Sequence, residues 1–212
     1  MDAHAWDERY AAAELVWSAG PNRFVAEELV DLPPGRALDV ACGEGRNALW
    51  LAGLGWQVTA LDFSEVALRK GRELQAHRQD ADPARPLAVE WVHGDVLGQD
   101  LGSQRFDLAV TAYLQLPEQE RAAAVRRTFT ALRPGGTFFL IAHDSSNLAE
   151  GTGGPQDPAV LFTAEEVLAD LDGERFEVER AERVARPVED PDTGERATAY
   201  DALVRLVRAP LL

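Results

Sequence analysis

Residues 36–62, RALDVACGEGRNALWLAGLGWQVTALD, limit what this chain can fold into more than any other stretch. They read as strand, glycine turn, helix and strand, with a carboxylate at the end of each strand. Ala37-Leu38-Asp39-Val40-Ala41 is a short, mostly apolar run after Pro33-Pro34-Gly35, the pattern of a strand buried on both faces. Gly43-Glu44-Gly45 allows a sharp turn and a close approach of the backbone to a ligand. Asn47 to Leu54 carries Ala48, Leu49, Leu51 and Ala52 at helical spacing, and Gly53 and Gly55 close it. Gln57 to Leu61 is the second strand. Asp62 sits at its carboxyl end, the edge where open α/β sheets bind ligands.

Gly43-x-Gly45-x-x-Ala48 satisfies the dinucleotide fingerprint, with an acid further along the chain. Alone, that pattern is a weak signal, and two carboxylates argue against a pyrophosphate. Asp39 lies just ahead of the turn, where its charge opposes a diphosphate at a helix N-terminus. Glu44 adds a second negative charge inside the turn. Asp39 instead suits a cation such as the amino group of a methionine moiety, and Asp62 suits the two hydroxyls of a ribose. An adenosine carrying an aminobutyrate on a sulfonium matches this charge pattern better than NAD does.

The run Leu38 to Asn47, LDVACGEGRN, resembles the first motif of class I S-adenosylmethionine (SAM) methyltransferases. The resemblance continues through Leu61-Asp62-Phe63-Ser64 as the ribose acid and Gly94-Asp95-Val96 as the adenine-side loop. Phe106-Asp107-Leu108 matches the opening of the fourth strand, and Leu132-Arg133-Pro134-Gly135-Gly136 precedes the fifth. Residues 36–143 are covered, in the family's order and spacing. The resemblance implies SAM as cofactor, held by Asp39, Ala41, Gly43, Gly45, Asn47, Asp62, Phe63, Asp95, Val96 and Tyr113. Near the N-terminus, Trp6-Asp7-Glu8-Arg9-Tyr10, Val16-Trp17 and Pro21-Asn22 resemble the tellurite-resistance and thiopurine-type methyltransferases, in which this segment closes over the cofactor. Carried over, Trp17 covers SAM, and Arg23 faces its carboxylate or the substrate. Residues 1–35 are then a helical lid and residues 36–212 the methyltransferase domain. Plain packing of an aromatic segment on the domain is the alternative.

The rest of the chain extends the same alternation. A helix within residues 1–20 is followed by one from Arg23 to about Leu32, with Phe24, Val25, Leu29 and Val30 as its buried stripe. Ser64 caps a helix to about His77 with Val66, Ala67 and Leu74 inward, and Arg78 to Arg85 is a surface loop. Leu87–His93 and Phe106–Thr111 are strands, Pro117 leads a helix to about Leu132, and Pro134-Gly135-Gly136 turns into a strand over Thr137–Ala142. A glycine-rich loop spans Ser145 to Pro158, and Thr163 with Glu166 forms a capping box for a helix to Leu171. Arg175–Val184 and Thr198–Val207 alternate and pair as antiparallel strands through Pro191-Asp192-Thr193-Gly194. The fold expected is α/β: a single doubly wound Rossmann-like domain whose mostly parallel, seven-stranded sheet ends in a C-terminal antiparallel hairpin.

A chain of 212 residues fills one such domain and leaves no room for a separate substrate domain. No apolar run is long enough to span a membrane. The N-terminus lacks the basic start and apolar core of a signal peptide, so a cytoplasmic protein is expected. The lone cysteine, Cys42, fits a reducing compartment and reads as a small buried filler. A net charge of −15 argues against nucleic acid and against an anionic membrane surface as partner. A small-molecule substrate remains, and the oligomeric state is left open.

For chemistry, His143-Asp144 is a His–acid pair at the end of the fifth strand. His143 is a candidate base, and Asp144 a candidate for orienting a cationic acceptor; a pair that only shapes the following loop is the plainer reading. Tyr113 opens the turn where this superfamily presents groups to the substrate. No histidine has metal-ligand spacing, so no metal is expected. The reading favoured is in-line methyl transfer from SAM to a small acceptor, including a thiol, chalcogen or halide nucleophile. O- or N-methylation of a metabolite, a non-catalytic SAM-binding module and an NAD(P) oxidoreductase are the alternatives.

Overall fold

The computed structural model describes residues 3–12, 20–189 and 194–210. Trp17 and the hairpin residues Pro191, Asp192 and Thr193 lie outside the described residues. In chain order the elements are α1 (Ala3–Ala11), α2 (Arg23–Leu29), β1 (Arg36–Val40), α3 (Arg46–Gly53), β2 (Gln57–Asp62), α4 (Glu65–Ala81), β3 (Val89–His93) and β4 (Phe106–Ala112). Then follow α5 (Glu118–Ala131), β5 (Leu132–His143), α6 (Asn147–Glu150), a 3₁₀ turn (Pro158–Val160), α7 (Ala164–Asp170), β6 (Phe176–Glu189) and β7 (Arg196–Arg208).

The seven strands form one sheet in the order β3-β2-β1-β4-β5-β7-β6. The first five are parallel, and β7 runs antiparallel to both β5 and β6. Strand order reverses at β1, between β2 and β4, which is the switch point where open sheets bind ligands. Alternation along β1 explains why it is apolar on both faces. Leu38 and Val40 pack with Phe106, Phe129 and Phe138 under α5 and α7. Ala37 faces the other way, with Phe24, Leu29, Leu51 and Phe139 under α2 and α3.

Local chemistry sets most boundaries. Asn22 caps α2 by accepting from the Phe24 and Val25 N–H groups. Ser64 caps α4 through Ala67 N–H, and Thr163 with Glu166 closes both bonds of a capping box on α7. Four expectations change. Helix α2 stops at Leu29 and leaves Val30 half exposed, so Val30 is not part of the buried stripe. Helix α4 continues through Arg78 to Ala81, because nothing breaks it before Asp82-Pro83, where the residue ahead of proline is pushed out of the helical region. The glycine-rich loop folds a turn of helix, α6, into its start. Finally, Pro134-Gly135-Gly136 bulges within β5: Leu132 pairs with Phe106 but Thr137 with Leu108. Among the described residues no helix is long and apolar enough to cross a membrane.

Candidate active site

The glycine turn joins β1 to α3 through three left-handed residues, Ala41 (φ 55°), Gly43 (φ 55°) and Gly45 (φ 76°). Asp62 holds that turn against β2. Its Oδ2 accepts from Gly43 N–H at 2.7 Å and its Oδ1 from Ser64 N–H at 2.8 Å. Burial raises the Asp62 pKa, while the N–H groups of Ser64, Gly43 and Phe63 pull it down.

Asp39 is different. It is 1% exposed, and neither carboxylate oxygen has a hydrogen-bond partner among the described residues. Burial raises its pKa to about 7, and the charge of Asp62 adds to the rise. The Ala48 N–H opposes the rise without closing a hydrogen bond, as does the Arg46 guanidinium. A buried carboxylate with no donor is costly unless something supplies one. Asp39 lies one residue short of the end of β1.

The N-terminal segment is tied to this turn at two points. Asn47, just inside α3, accepts from Asn22 N–H at 2.9 Å, so the start of α2 is fixed to the start of α3. Helix α1 lies on α4: Asp7 accepts from Ser64 Oγ at 2.5 Å, and Lys70 Nζ donates to the Tyr10 carbonyl at 2.5 Å. Lys70 also reaches Glu44 at 3.5 Å, which draws the second acid of the turn towards α1 and α4.

Beyond the end of β4 a second cluster gathers, in which Tyr113 and His143, both expected from the sequence, meet Arg186 and Asp201, which were not. Tyr113, left-handed at φ 61°, donates its hydroxyl to Asp201 Oδ2 at 3.0 Å. Arg186 on β6 donates Nε to the same oxygen at 2.8 Å. His143 ends β5 opposite Asp201 on β7, with Nδ1 3.4 Å from Asp201 Oδ1. Its ring stands 4.9 Å from that of Tyr113. Asp201 is fully buried. Burial lowers the His143 pKa, opposed by the Asp201 charge and assisted by that of Arg186. Burial and the Asp201 charge push the Tyr113 hydroxyl far above its ordinary value. Arg46, at the start of α3, interacts electrostatically with both Tyr113 and Asp39, and so connects the cofactor turn to this cluster.

The remaining predicted residues are placed as follows. Asp144 is buried but turns its carboxylate onto its own loop, accepting from Ser146 N–H and Oγ at 2.9 and 2.6 Å. Asp95 is exposed and closes a turn by accepting from Leu97 N–H at 2.9 Å. Val96 is buried, its carbonyl held by Arg127. Phe63 is half-buried, with His93 Nε2 3.0 Å from its carbonyl. Arg23 is exposed and pairs with Glu27 at 2.6 Å, so it is not among the residues gathered at the strand tips. Arg46, Arg186 and Asp201 were not predicted. For Asp201 a signal existed: a carboxylate abutting the run Ala202-Leu203-Val204 in an otherwise alternating strand.

A doubly wound sheet of this order, with a glycine turn and buried acids at the tips of β1 and β2, has the fold expected of a class I SAM-dependent methyltransferase. Residues 37–136 match the family model described as "Methyltransferase domain". The ubiquinone biosynthesis O-methyltransferase of Xanthomonas campestris pv. campestris is 36% identical over 141 residues, which cover 65% of this chain and 56% of that protein. The chain spans a third to just over half of the length of curated relatives it matches, 33%, 51% and 56% in three cases. Among solved structures, one from work on the conversion of a disulfide bond into a thioacetal group during echinomycin biosynthesis superposes with a TM-score of 0.73 at 23% identity. It covers 98% of this chain and 91% of that one. The TehB protein of Haemophilus influenzae superposes with a TM-score of 0.70 at 18% identity, covering 89% of this chain and 62% of that one.

Proposed function

We propose that the chain transfers the methyl group of SAM to a small-molecule acceptor. The observation that carries this reading is Asp39: a carboxylate 1% exposed with no donor, at the β1 tip beside an acid at the β2 tip. The α-ammonium of SAM supplies the donor that Asp39 lacks. A carboxylate has about four acceptor sites, so Asp62 retains capacity for ribose hydroxyls after binding Gly43 and Ser64. Asp95 and Val96 stand on the adenine side. A diphosphate does not suit this floor, since Asp39 and Glu44 are buried there.

The bound cofactor supplies an activated methyl group; the chain's work is alignment. Holding acceptor and methyl in line is worth roughly 7–11 kcal/mol of barrier. The groups that wall the acceptor in this reading are Tyr113 and His143, with residues 1–35 as the lid. Support for the lid comes from the two ties of the N-terminal segment to the glycine turn, through Asn22 and through Lys70. A net charge of −15 supports a small acceptor over nucleic acid, and the buried Cys42 suits a reducing compartment. O-methylation, as named for the ubiquinone-pathway relative, and attack by a thiol or other soft nucleophile both fit the cofactor half of the site.

Calorimetric titration separates this from the dinucleotide reading. S-adenosylhomocysteine should bind at one site per chain and NADH should not bind. NADH binding, or no response to S-adenosylhomocysteine, rejects the proposal.

A further inference from the structure

Fully buried Asp201 is an expensive residue to place at the junction of β5, β6 and β7, and nothing in sheet formation asks for it. It gathers three side chains from three strand ends: Tyr113, Arg186 and His143. The first two share one oxygen. Tyr113 Oη and Arg186 Nε both donate to Oδ2, which leaves Oδ1 facing His143 Nδ1 at 3.4 Å, with only the longer Arg186 Nη2 contact, also 3.4 Å, beside it. His143 Nδ1 is buried and closes no hydrogen bond among the described residues. Gly154 packs against the Nδ1–Cε1 edge so closely that a Cβ there would sit 2.9 Å from both atoms. The ring is therefore walled on the Nδ1 side and retains 15% of its surface.

We infer that Asp201, rather than the adjacent Asp144, is the positioning acid for His143, holding it with the proton on Nδ1 and with Nε2 bare as the base for a neutral, protic acceptor. The inference rests on the methyltransferase reading and narrows it: the acceptor carries an O–H, N–H or S–H rather than arriving as a halide or other preformed anion. As the acceptor's lone pair bonds to the methyl carbon, the carbon–sulfur electron pair returns to sulfur, and the acceptor's proton passes to Nε2. The resulting imidazolium carries Nδ1–H towards Asp201 Oδ1, whose negative charge stabilises it. Tyr113 cannot take the same role. Its proton is committed to Asp201, and its hydroxyl is harder to ionise than free tyrosine. Asp144 is committed to Ser146. Besides Asp201, Arg186 is the charged group acting on His143, and it opposes protonation, as burial does.

The test needs no knowledge of the acceptor. In nitrogen-15 NMR of the full chain with S-adenosylhomocysteine bound, His143 is assigned by its loss in His143→Gln. The expected wild-type signature is an Nδ1–H, Nε2-bare tautomer at neutral pH, with a titration midpoint below the ordinary 6.5. In Asp201→Asn the Asn oxygen stays with its two donors at the Oδ2 position, which turns the amide nitrogen towards His143. The proton should then move to Nε2. An Nε2–H tautomer in the wild type, or an unchanged tautomer in a folded Asp201→Asn, overturns the inference. If Asp201→Asn does not fold, the wild-type tautomer decides alone. Binding of S-adenosylhomocysteine, measured on the same samples, reports separately on the cofactor site.

Discussion

Trp91 on β3 lies directly against Gly45 of the glycine turn, so that a Cβ on Gly45 would overlap the indole ring. The same ring blocks a side chain at Gly71 on α4, and its Nε1 donates to Gln75 at 2.6 Å. Gly45 was expected to let the backbone approach a ligand. The structure adds a second demand, packing between turn, helix and strand, alongside its left-handed conformation. Gly45→Ala combines a left-handed penalty of about 1–2 kcal/mol with overpacking of about 1–3 kcal/mol. Urea unfolding should show a loss of at least about 2 kcal/mol. A near-neutral change would mean that Trp91 readily swings away.

Asp39 makes the apo protein pH-sensitive in a definite direction. The folded state holds its proton up to about pH 7, whereas the unfolded chain releases it near 3.8. Between those values the native state binds more protons, so stability contributed at Asp39 falls as pH rises. The interval corresponds to on the order of 4 kcal/mol. Asp39→Asn should therefore melt higher than wild type at pH 8 in the absence of cofactor, with the difference vanishing below about pH 4. The same variant should bind S-adenosylhomocysteine at least about tenfold more weakly, as expected for loss of a charge-assisted hydrogen bond worth about 1.5–3 kcal/mol. Wild-type binding below pH 7 should release a proton, detected as a buffer-dependent enthalpy that Asp39→Asn abolishes.

Arg121 and Asp170 supply a test of the scaffold apart from the site. Arg121 on α5 donates Nε to Asp170 of α7 at 2.7 Å, with both side chains less than a tenth exposed, and its guanidinium lies 5.0 Å from the Phe162 ring centre. Removing one member strands a buried charge. Asp170→Ala should cost about 3–5 kcal/mol in chemical denaturation, and replacing both by apolar residues should recover much of the loss.

The half of the site proposed to hold SAM was legible because its residues are local. Asp39, Gly43, Gly45 and Asp62 lie within one strand–turn–helix–strand unit, and spacing alone places them together. The fold class, a mostly parallel sheet ending in an antiparallel hairpin, was legible for a similar reason, since apolar runs that alternate with helices leave few topologies for a parallel sheet. The cluster proposed to wall the acceptor was legible only in part: Tyr113 and His143 were expected, Arg186 and Asp201 were not. Tyr113 and Asp201 are 88 residues apart, and their contact depends on β7 inserting between β5 and β6 in one register, which puts Asp201 opposite His143. Strand β6 is rich in Glu and Arg, so Arg186 looks like any other surface charge in the sequence. Asp144, read from sequence as a candidate for orienting a cationic acceptor, instead binds Ser146 on its own loop.

The lid reading can be tested at Asp7, which ties α1 to the start of α4 through Ser64 Oγ and, at 3.4 Å, Val66 N–H, beside the Lys70 contact to the Tyr10 carbonyl. Ser64 Oγ donates to Asp7 while still accepting from Ala67 N–H at 3.1 Å. Asp7→Ala thus removes this tether while the Ser64 cap on Ala67 N–H stays, and amide exchange at the start of α4, read in the same experiment, separates fraying of α4 from release of α1. If α1 closes over the cofactor, amide exchange in residues 3–12 should quicken in Asp7→Ala, and S-adenosylhomocysteine should slow it again. Affinity should fall several-fold, and global stability should change by no more than about 1 kcal/mol, the net value of a typical intramolecular hydrogen bond. If exchange quickens while affinity holds, the segment only packs on the domain and contributes nothing to holding the cofactor.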